Sequence, residues 1–336
     1  MSLGEPRKVV VLGTGGTIAG RALDALDNIG YTAAQVGVDE LLRAIPGLTA
    51  SLSGRTLITE QVAQVDSKDM SVQMWQALAS RTAWHLVQTD VVGVVVTHGT
   101  DTLEETAFFL QAVLPAALLA QKPVVLTCAM RPATSLAPDG PQNVVDAVAV
   151  VMADSARGVV VVCAGVIHGA VDVQKGHTYR LDAFNSGDSG ALGYVEDGAL
   201  RMVRDWPSAH AYKAQAAIHT IVSTTNWPRV ELITSYGGVS GAIVDALLAQ
   251  GCTLGDPVPP LRGLVVAGTG NGTVHKDLEF ALFKAQAQGV RVVRASRCAG
   301  GRVISSPTGD INQSFPDSQG LSAVKARIAL MLDLLP

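Results

Sequence analysis

The sequence predicts an α/β protein of two domains: a larger N-terminal domain on a mostly parallel sheet flanked by helices, and a smaller C-terminal α/β domain. Three observations carry that expectation. Four short runs, Lys8 to Leu12, Val91 to Val96, Pro123 to Leu126 and Gly158 to Val162, are nearly continuous valine and leucine without alternation, as in strands covered on both faces. Helical periodicity fills the stretches between them. After a polar, aperiodic stretch the strand–helix alternation resumes, and alternation of this kind means a parallel sheet. With 336 residues, 48% hydrophobic and only 16% charged, the chain exceeds one ordinary domain and has the apolar content for large cores.

Taken in order, "MSVQMWQALASRTAWHLVQ" places Trp75, Leu78, Ala79 and Leu86 on one helical face. In "APDGPQNVVDAVAVVMAD", Asp139, Gly140 and Pro141 form the entry to a helix over Pro141 to Ala153, with proline early in the first turn. "GALGYVEDGALRMV" reads as a hairpin around Asp197-Gly198, a dipeptide suited to a tight turn. It marks an edge of the first domain. Periodicity lapses in "RDWPSAHAYKAQ", so the domains are expected at 1–206 and 216–336 with a linker at 207–215. The second series runs "AAIHTIVS", helical "SGAIVDALLAQG", strand "LRGLVVAG", helical "HKDLEFALFKAQAQG" and "VRVVRAS".

Composition excludes several function classes. The 25 basic and 29 acidic residues give a net charge of −4 without a basic tract, so nucleic acid is not an expected partner. No apolar run is long enough to span a bilayer, and "MSLGEPRKVVVL" passes at once into a strand-like run without a signal-peptide pattern. The expected compartment is therefore the cytoplasm, or the periplasm if a leader has been removed. Cys128, Cys163, Cys252 and Cys298 show no paired spacing and read as buried small hydrophobes. The seven histidines show no HxxxH or HExxH spacing, and GxSxG is absent, which argues against a zinc site and a serine elbow.

In open parallel sheets ligands bind beyond the carboxyl ends of the strands. The loops there read "GTGGTIAG", "THGTDT", "TCAMRP" and "CAGVIHGAVDVQK". The first fails the dinucleotide fingerprint, because its third glycine position holds Ile18; it offers close backbone approach and the hydroxyls of Thr14 and Thr17. In the second, Thr102-Leu-Glu-Glu105 has the spacing of a capping box, with Thr102 accepting from the Glu105 N–H. Thr100 and Asp101 are not needed for that cap and stand just before a helix N-terminus, where developing negative charge is stabilised. A threonine becomes a nucleophile when a neighbouring base takes its proton, and an ion-paired or desolvated lysine can be that base. Lys175, after the fourth strand, is the candidate, while His98 reads as a packed, hydrogen-bonded histidine.

At these residues the sequence resembles the bacterial-type L-asparaginases. The resemblance rests on "GTGGTIAG" and "THGTDTLEET", supported by "AMRPATSLAPDGPQN", "GTGNGTVHK" and "KARIALMLDLL", and spans Val9 to Leu334. It implies hydrolysis of the L-asparagine side-chain amide to aspartate and ammonia through a threonine acyl-enzyme, with some glutaminase activity and no metal or organic cofactor. Position by position, it implies that Thr17 is the nucleophile beside Tyr31 of a mobile lid. It makes Thr100, Asp101 and Lys175 a second constellation that activates the attacking group or water, and leaves open which threonine is acylated. Ser67 then holds the substrate α-carboxylate and Asp101 faces the α-amino group, with Asp66, Gly16 and Gly99 in the binding set. It further implies a homotetramer, in which Asn271 reaches a neighbouring site. Two departures stand out: "ASRCAGGRVISSPTGD" has no glutamate where the family often places one, and the cysteine pair of some periplasmic relatives is missing, which favours the cytoplasm. The competing expectations are a catalytically silent amino-acid-binding protein and an amidase subunit of an amidotransferase. Against the first stands the joint presence of Thr17, Thr100, Asp101 and Lys175, and against the second the lack of a long appended domain or basic RNA-facing tract.

Overall fold

The computed structural model describes residues 7–210, 212–251, 258–304 and 315–336. The chain divides into two compact units between Lys213 and Ala214. The strands of the first unit are β1 (Lys8–Gly15), β2 (Thr56–Val65), β3 (Val91–Thr97), β4 (Val124–Thr127), β5 (Val159–Cys163), β6 (Val166–Gly169), β7 (Gln174–Lys175), β8 (Phe184–Asn185), β9 (Gly193–Glu196) and β10 (Ala199–Met202). Its helices are α1 (Val38–Arg43), α2 (Leu48–Ser51), α3 (Val72–Val87), α4 (Leu103–Val113), α5 (Ala116–Leu119) and α6 (Gly140–Met152). The second unit holds β11 (Arg229–Thr234), β12 (Leu261–Gly268) and β13 (Arg291–Ser296), with α7 (Ile218–Ser223), α8 (Ala242–Ala249), α9 (Lys276–Ala287) and α10 (Ala323–Asp333).

The large sheet has the order β10-β9-β6-β5-β4-β3-β1-β2. It is parallel from β2 through β5 and antiparallel across β6, β9 and β10. The four apolar runs are its central strands, buried on both faces as their composition requires. Helix α6 packs Val144, Ala147, Val148 and Val151 against one face together with Leu41, Leu42 and Leu48 of α1 and α2. On α3 the residues Trp75, Leu78, Ala79 and Leu86 are buried, and Trp75 stacks on Phe109 of α4 with centroids 5.3 Å apart. The Asp197-Gly198 turn has positive φ at both residues, 51° and 76°, and joins β9 to β10 at the sheet edge. The smaller sheet, β11-β12-β13, is parallel.

Three local readings are corrected. In "AAIHTIVS", which opens the alternating series where a strand is expected, Ile218–Ser223 is a helical segment, and the strand is "RVELIT" further on; only Ile221 of the helix is buried, and six residues are too short a run to distinguish the two periods. Strand β2 escapes notice because it is an edge strand with no fully buried residue, so its polar and apolar residues mix. Cys298 is exposed rather than buried, in the turn after β13, while Cys128 and Cys163 are buried; Cys252 lies outside the described residues.

The strand order reverses between β1 and β3: the chain leaves β1 outward to β2 and then returns to build β3, β4 and β5 on the other side. Such a switch point leaves a crevice at the carboxyl ends. Register makes it narrow, because Gly13 of β1 pairs with Thr97 of β3 and the segments that follow run side by side. Gly16 has φ 81° and ψ −171°, a conformation that favours glycine, and a Cβ there would lie 2.2 Å from the Gly99 Cα. Gly47 also has positive φ, 76°, but a Cβ there meets nothing within 4 Å. Gly47→Ala should therefore destabilise by only about 1 kcal/mol. Gly16→Ala should destabilise by about 3 kcal/mol or more, since a backbone clash adds to the strain. Urea unfolding of the two variants checks the difference.

Candidate active site

Thr17 opens a 3-10 turn, Thr17–Ala19, directly after Gly16. Its Oγ1 is 2.6 Å from the Tyr31 hydroxyl. Tyr31 comes from an excursion closed at its base by paired backbone hydrogen bonds between Arg21 and Thr32. Burial pushes the Tyr31 phenol up from its ordinary pKa, so it keeps its proton at neutral pH. The Thr14 hydroxyl points inward instead, donating to the Thr97 carbonyl at 3.0 Å and tying β1 to β3.

Across the Gly16–Gly99 contact, Lys175 Nζ donates to Thr100 Oγ1 at 2.9 Å and to Asp101 Oδ1 at 2.6 Å. Lys175 does not sit on a simple loop after the fourth strand. The chain first turns back as β6 and then forms the two-stranded ribbon of β7 and β8, with Lys175 opposite Phe184. The ribbon is moored by the Lys175 N–H, which donates to Glu104 Oε1 at 3.1 Å. Glu104 stands inside the THGTDTLEE motif but has no sequence signature for this role beyond its place on the first turn of α4.

Ser67 follows β2 and is buried beneath this pair. The Asp101 N–H donates to Ser67 Oγ at 3.2 Å, and Thr102 Oγ1 donates to the Ser67 carbonyl at 2.7 Å. The capping box is thus corrected: Thr102 is the N-cap residue of α4, but its side chain caps nothing. With φ −125° and ψ 17° its hydroxyl is turned to Ser67, exchanging a local cap for a tie between two loops. Asp139 behaves alike, starting α6 while its carboxylate accepts from the Met130 and Arg131 N–H groups. Asp66 engages Lys68, whose Nζ donates to it at 2.7 Å.

Beneath the site lies a buried chain of polar groups. Trp75 Nε1 donates to Thr106 Oγ1 at 2.9 Å, Thr106 Oγ1 is 2.9 Å from His98 Nε2, and His98 Nδ1 is 2.7 Å from the Gly99 carbonyl. Desolvation lowers the His98 pKa to about 4.

The first unit therefore brings Thr17, Tyr31, Ser67, Thr100, Asp101 and Lys175 together around Gly16 and Gly99. Asn271 belongs to the second unit, where its side-chain amide is paired with the Ile304 backbone at 2.8 and 2.7 Å. The segment Ser305 to Thr308, where the family glutamate is missing, lies outside the described residues. Among the described residues no three His, Cys, Asp or Glu side chains gather as metal ligands, and no helix is long and apolar enough to cross a membrane.

Residues 8–208 match the family description "Asparaginase, N-terminal" and residues 229–335 match "Glutaminase/Asparaginase C-terminal domain". The chain is 36% identical to a "Probable L-asparaginase periplasmic" of Haemophilus influenzae, over 97% of this chain and 88% of that protein. It is equally 36% identical to a "Glutaminase-asparaginase" of Pseudomonas fluorescens, over 97% and 86%. A solved structure, that of a "Probable Cytoplasmic L-asparaginase" from Campylobacter jejuni, superposes with a TM-score of 0.85 at 35% identity, covering 98% of this chain and 95% of that one.

Neutral burial of His98 has a measurable consequence. The native ring stays uncharged down to about pH 4, against an ordinary value of 6.5. Between those values the unfolded chain binds the extra proton, so this contribution is complete above pH 6.5 and is lost as pH falls towards 4. The loss should be on the order of 3 kcal/mol. Urea unfolding at pH 7 and pH 4.5 should show His98→Asn losing less stability on acidification than the wild type; an equal loss would count against it.

Proposed function

The chain belongs to the asparaginase family, whose N-terminal and C-terminal regions fall on its two units, and from that premise we propose that it is an amidohydrolase that converts L-asparagine to L-aspartate and ammonia, with L-glutamine a slower substrate. One observation carries the reading: two threonine hydroxyls on adjacent loops, one against a buried phenol and the other against a lysine–aspartate pair.

In the proposed sequence Thr17 Oγ1 attacks the amide carbon and its proton passes to Tyr31. Burial disfavours a phenolate, so Tyr31 passes its own proton on to the departing nitrogen rather than storing charge. Ammonia leaves and the acyl group is esterified to Thr17. Lys175 donates to Thr100 Oγ1, which frees the Thr100 proton to be directed into the site, where this hydroxyl orients the attacking water. The water oxygen joins the acyl carbon, a proton returns to Thr17, and aspartate is released. Ser67 accepts the Asp101 N–H and so keeps its own proton to donate to the substrate α-carboxylate. The second carboxylate oxygen of Asp101 has no partner among the described residues and suits an α-ammonium. Opposite charges held at fixed points leave the amide one way to lie.

The reading extends to a homotetramer in which Asn271 faces a neighbouring site, supported by the family resemblance, and to a cytoplasmic location, supported by the missing cysteine pair of some periplasmic relatives.

Purified protein should release ammonia from L-asparagine faster than from L-glutamine. Thr17→Ala and Thr100→Ala should each lower the rate by about 10³-fold or more while the thermal unfolding curve keeps its shape. Asparagine binding without ammonia from either amide would favour the silent binding protein instead.

A further inference from the structure

The chain Trp75–Thr106–His98–Gly99 admits one arrangement of protons. An indole N–H only donates, so Thr106 Oγ1 accepts from Trp75. A carbonyl only accepts, so His98 Nδ1 carries the proton directed at the Gly99 oxygen, 2.7 Å away. The neutral ring has one N–H, which leaves Nε2 as the acceptor of the Thr106 hydroxyl at 2.9 Å. The ring is fully enclosed, with no exposed surface, and desolvation keeps it neutral. Its backbone is pinned as well, the His98 N–H donating to the Thr127 carbonyl at 2.9 Å.

The Gly99–Thr100 peptide takes its direction from this chain. In a trans peptide the C=O and the following N–H point opposite ways. The Gly99 carbonyl is drawn to His98, so the Thr100 N–H is turned away from the His98 ring. That N–H has no partner among the described residues, although Thr100 is only 5% exposed. An open donor on so enclosed a residue is ordinarily costly, and on the amide-hydrolysis reading the substrate amide oxygen is the acceptor it lacks.

We propose that His98 is a positioning residue: through a single neutral tautomer, protonated at Nδ1 and held from behind by Thr106 and Trp75, it fixes the Gly99–Thr100 peptide so that the Thr100 N–H is aimed at the substrate amide oxygen. His98 touches no substrate and exchanges no proton during turnover. The kinetic part rests on the amide-hydrolysis reading; the tautomer does not.

Asparagine at position 98 can still present an N–H to the Gly99 carbonyl, whereas leucine cannot. A misaimed donor affects the transition state more than substrate binding. His98→Leu should therefore lower kcat about tenfold with KM within about twofold, and His98→Asn should keep kcat within about threefold of the wild type. The tautomer is read separately on wild-type protein with 15N-labelled histidine at pH 7, where the His98 resonances, assigned by their loss in His98→Asn, should show a neutral ring protonated at Nδ1. An Nε2-protonated or charged ring overturns the proposal, as does a His98→Asn no more active than His98→Leu, or a His98→Leu as active as the wild type. A wild-type protein that releases no ammonia removes the amidohydrolase reading instead and leaves the tautomer measurement to decide the positioning of the peptide.

Discussion

The backbone contact between Gly16 and Gly99 is the constraint on which the site depends. Strands β1 and β3 are neighbours, and their register brings the two loops out side by side. Ordinary side chains at their tips would hold the loops apart. With glycine at both, a Cβ on Gly16 would lie 2.2 Å from the Gly99 Cα and one on Gly99 would lie 3.0 Å from the Gly16 Cα. The next residue on one side is Thr17 and on the other Thr100, so a contact without side chains places two hydroxyl-bearing residues at adjacent points. Gly16 adopts a conformation that other residues avoid, and local strain of this kind persists only where the surroundings over-determine it.

The surroundings do so through a set of ties converging on residues 98–104. Ser67, from the loop after β2, takes the Asp101 N–H on its hydroxyl and the Thr102 hydroxyl on its carbonyl. From the far side, the Lys175 backbone meets Glu104 while its ammonium meets Thr100 and Asp101. From below, His98 takes the Gly99 carbonyl. Ser67 and Lys175 approach from different elements while His98 ties the segment to itself, so no single loop sets the geometry, and α4 begins where these ties meet.

The parts of this arrangement differ in how legible they are in the sequence. The central strands were legible because strands buried on both faces need unbroken apolar runs, whereas β2, lying at an edge, has no such requirement and left no run. Thr17, Thr100, Asp101 and Lys175 stood out because their residue types are chemically conspicuous in loops that ought to line a crevice. Thr102 and Glu104 are ambiguous in the sequence for one reason: both lie at the start of a helix, where local capping explains them, and only the folded chain shows that their partners are Ser67 and Lys175, 35 and 71 positions away in sequence. The ribbon carrying Lys175 was hidden because two-residue strands have no period to read. His98 announced its packing but not its partners, since nothing in the spacing of Trp75, His98 and Thr106 shows that they meet.

The polar groups finally separate into two electrostatic layers. Beneath the site, Trp75, Thr106 and His98 are buried and uncharged, with every donor matched to an acceptor, so they hold the backbone without responding to what binds above. At the site, Lys175 is largely covered with 17% of its side chain exposed, while its partner Asp101 is 52% exposed. The pair therefore sits at a boundary: its cation is held in place by protein, and its anion is open enough to be approached. Because the His98 ring stays neutral down to about pH 4, its hydrogen bond to the Gly99 carbonyl keeps the same donor and acceptor across the neutral range.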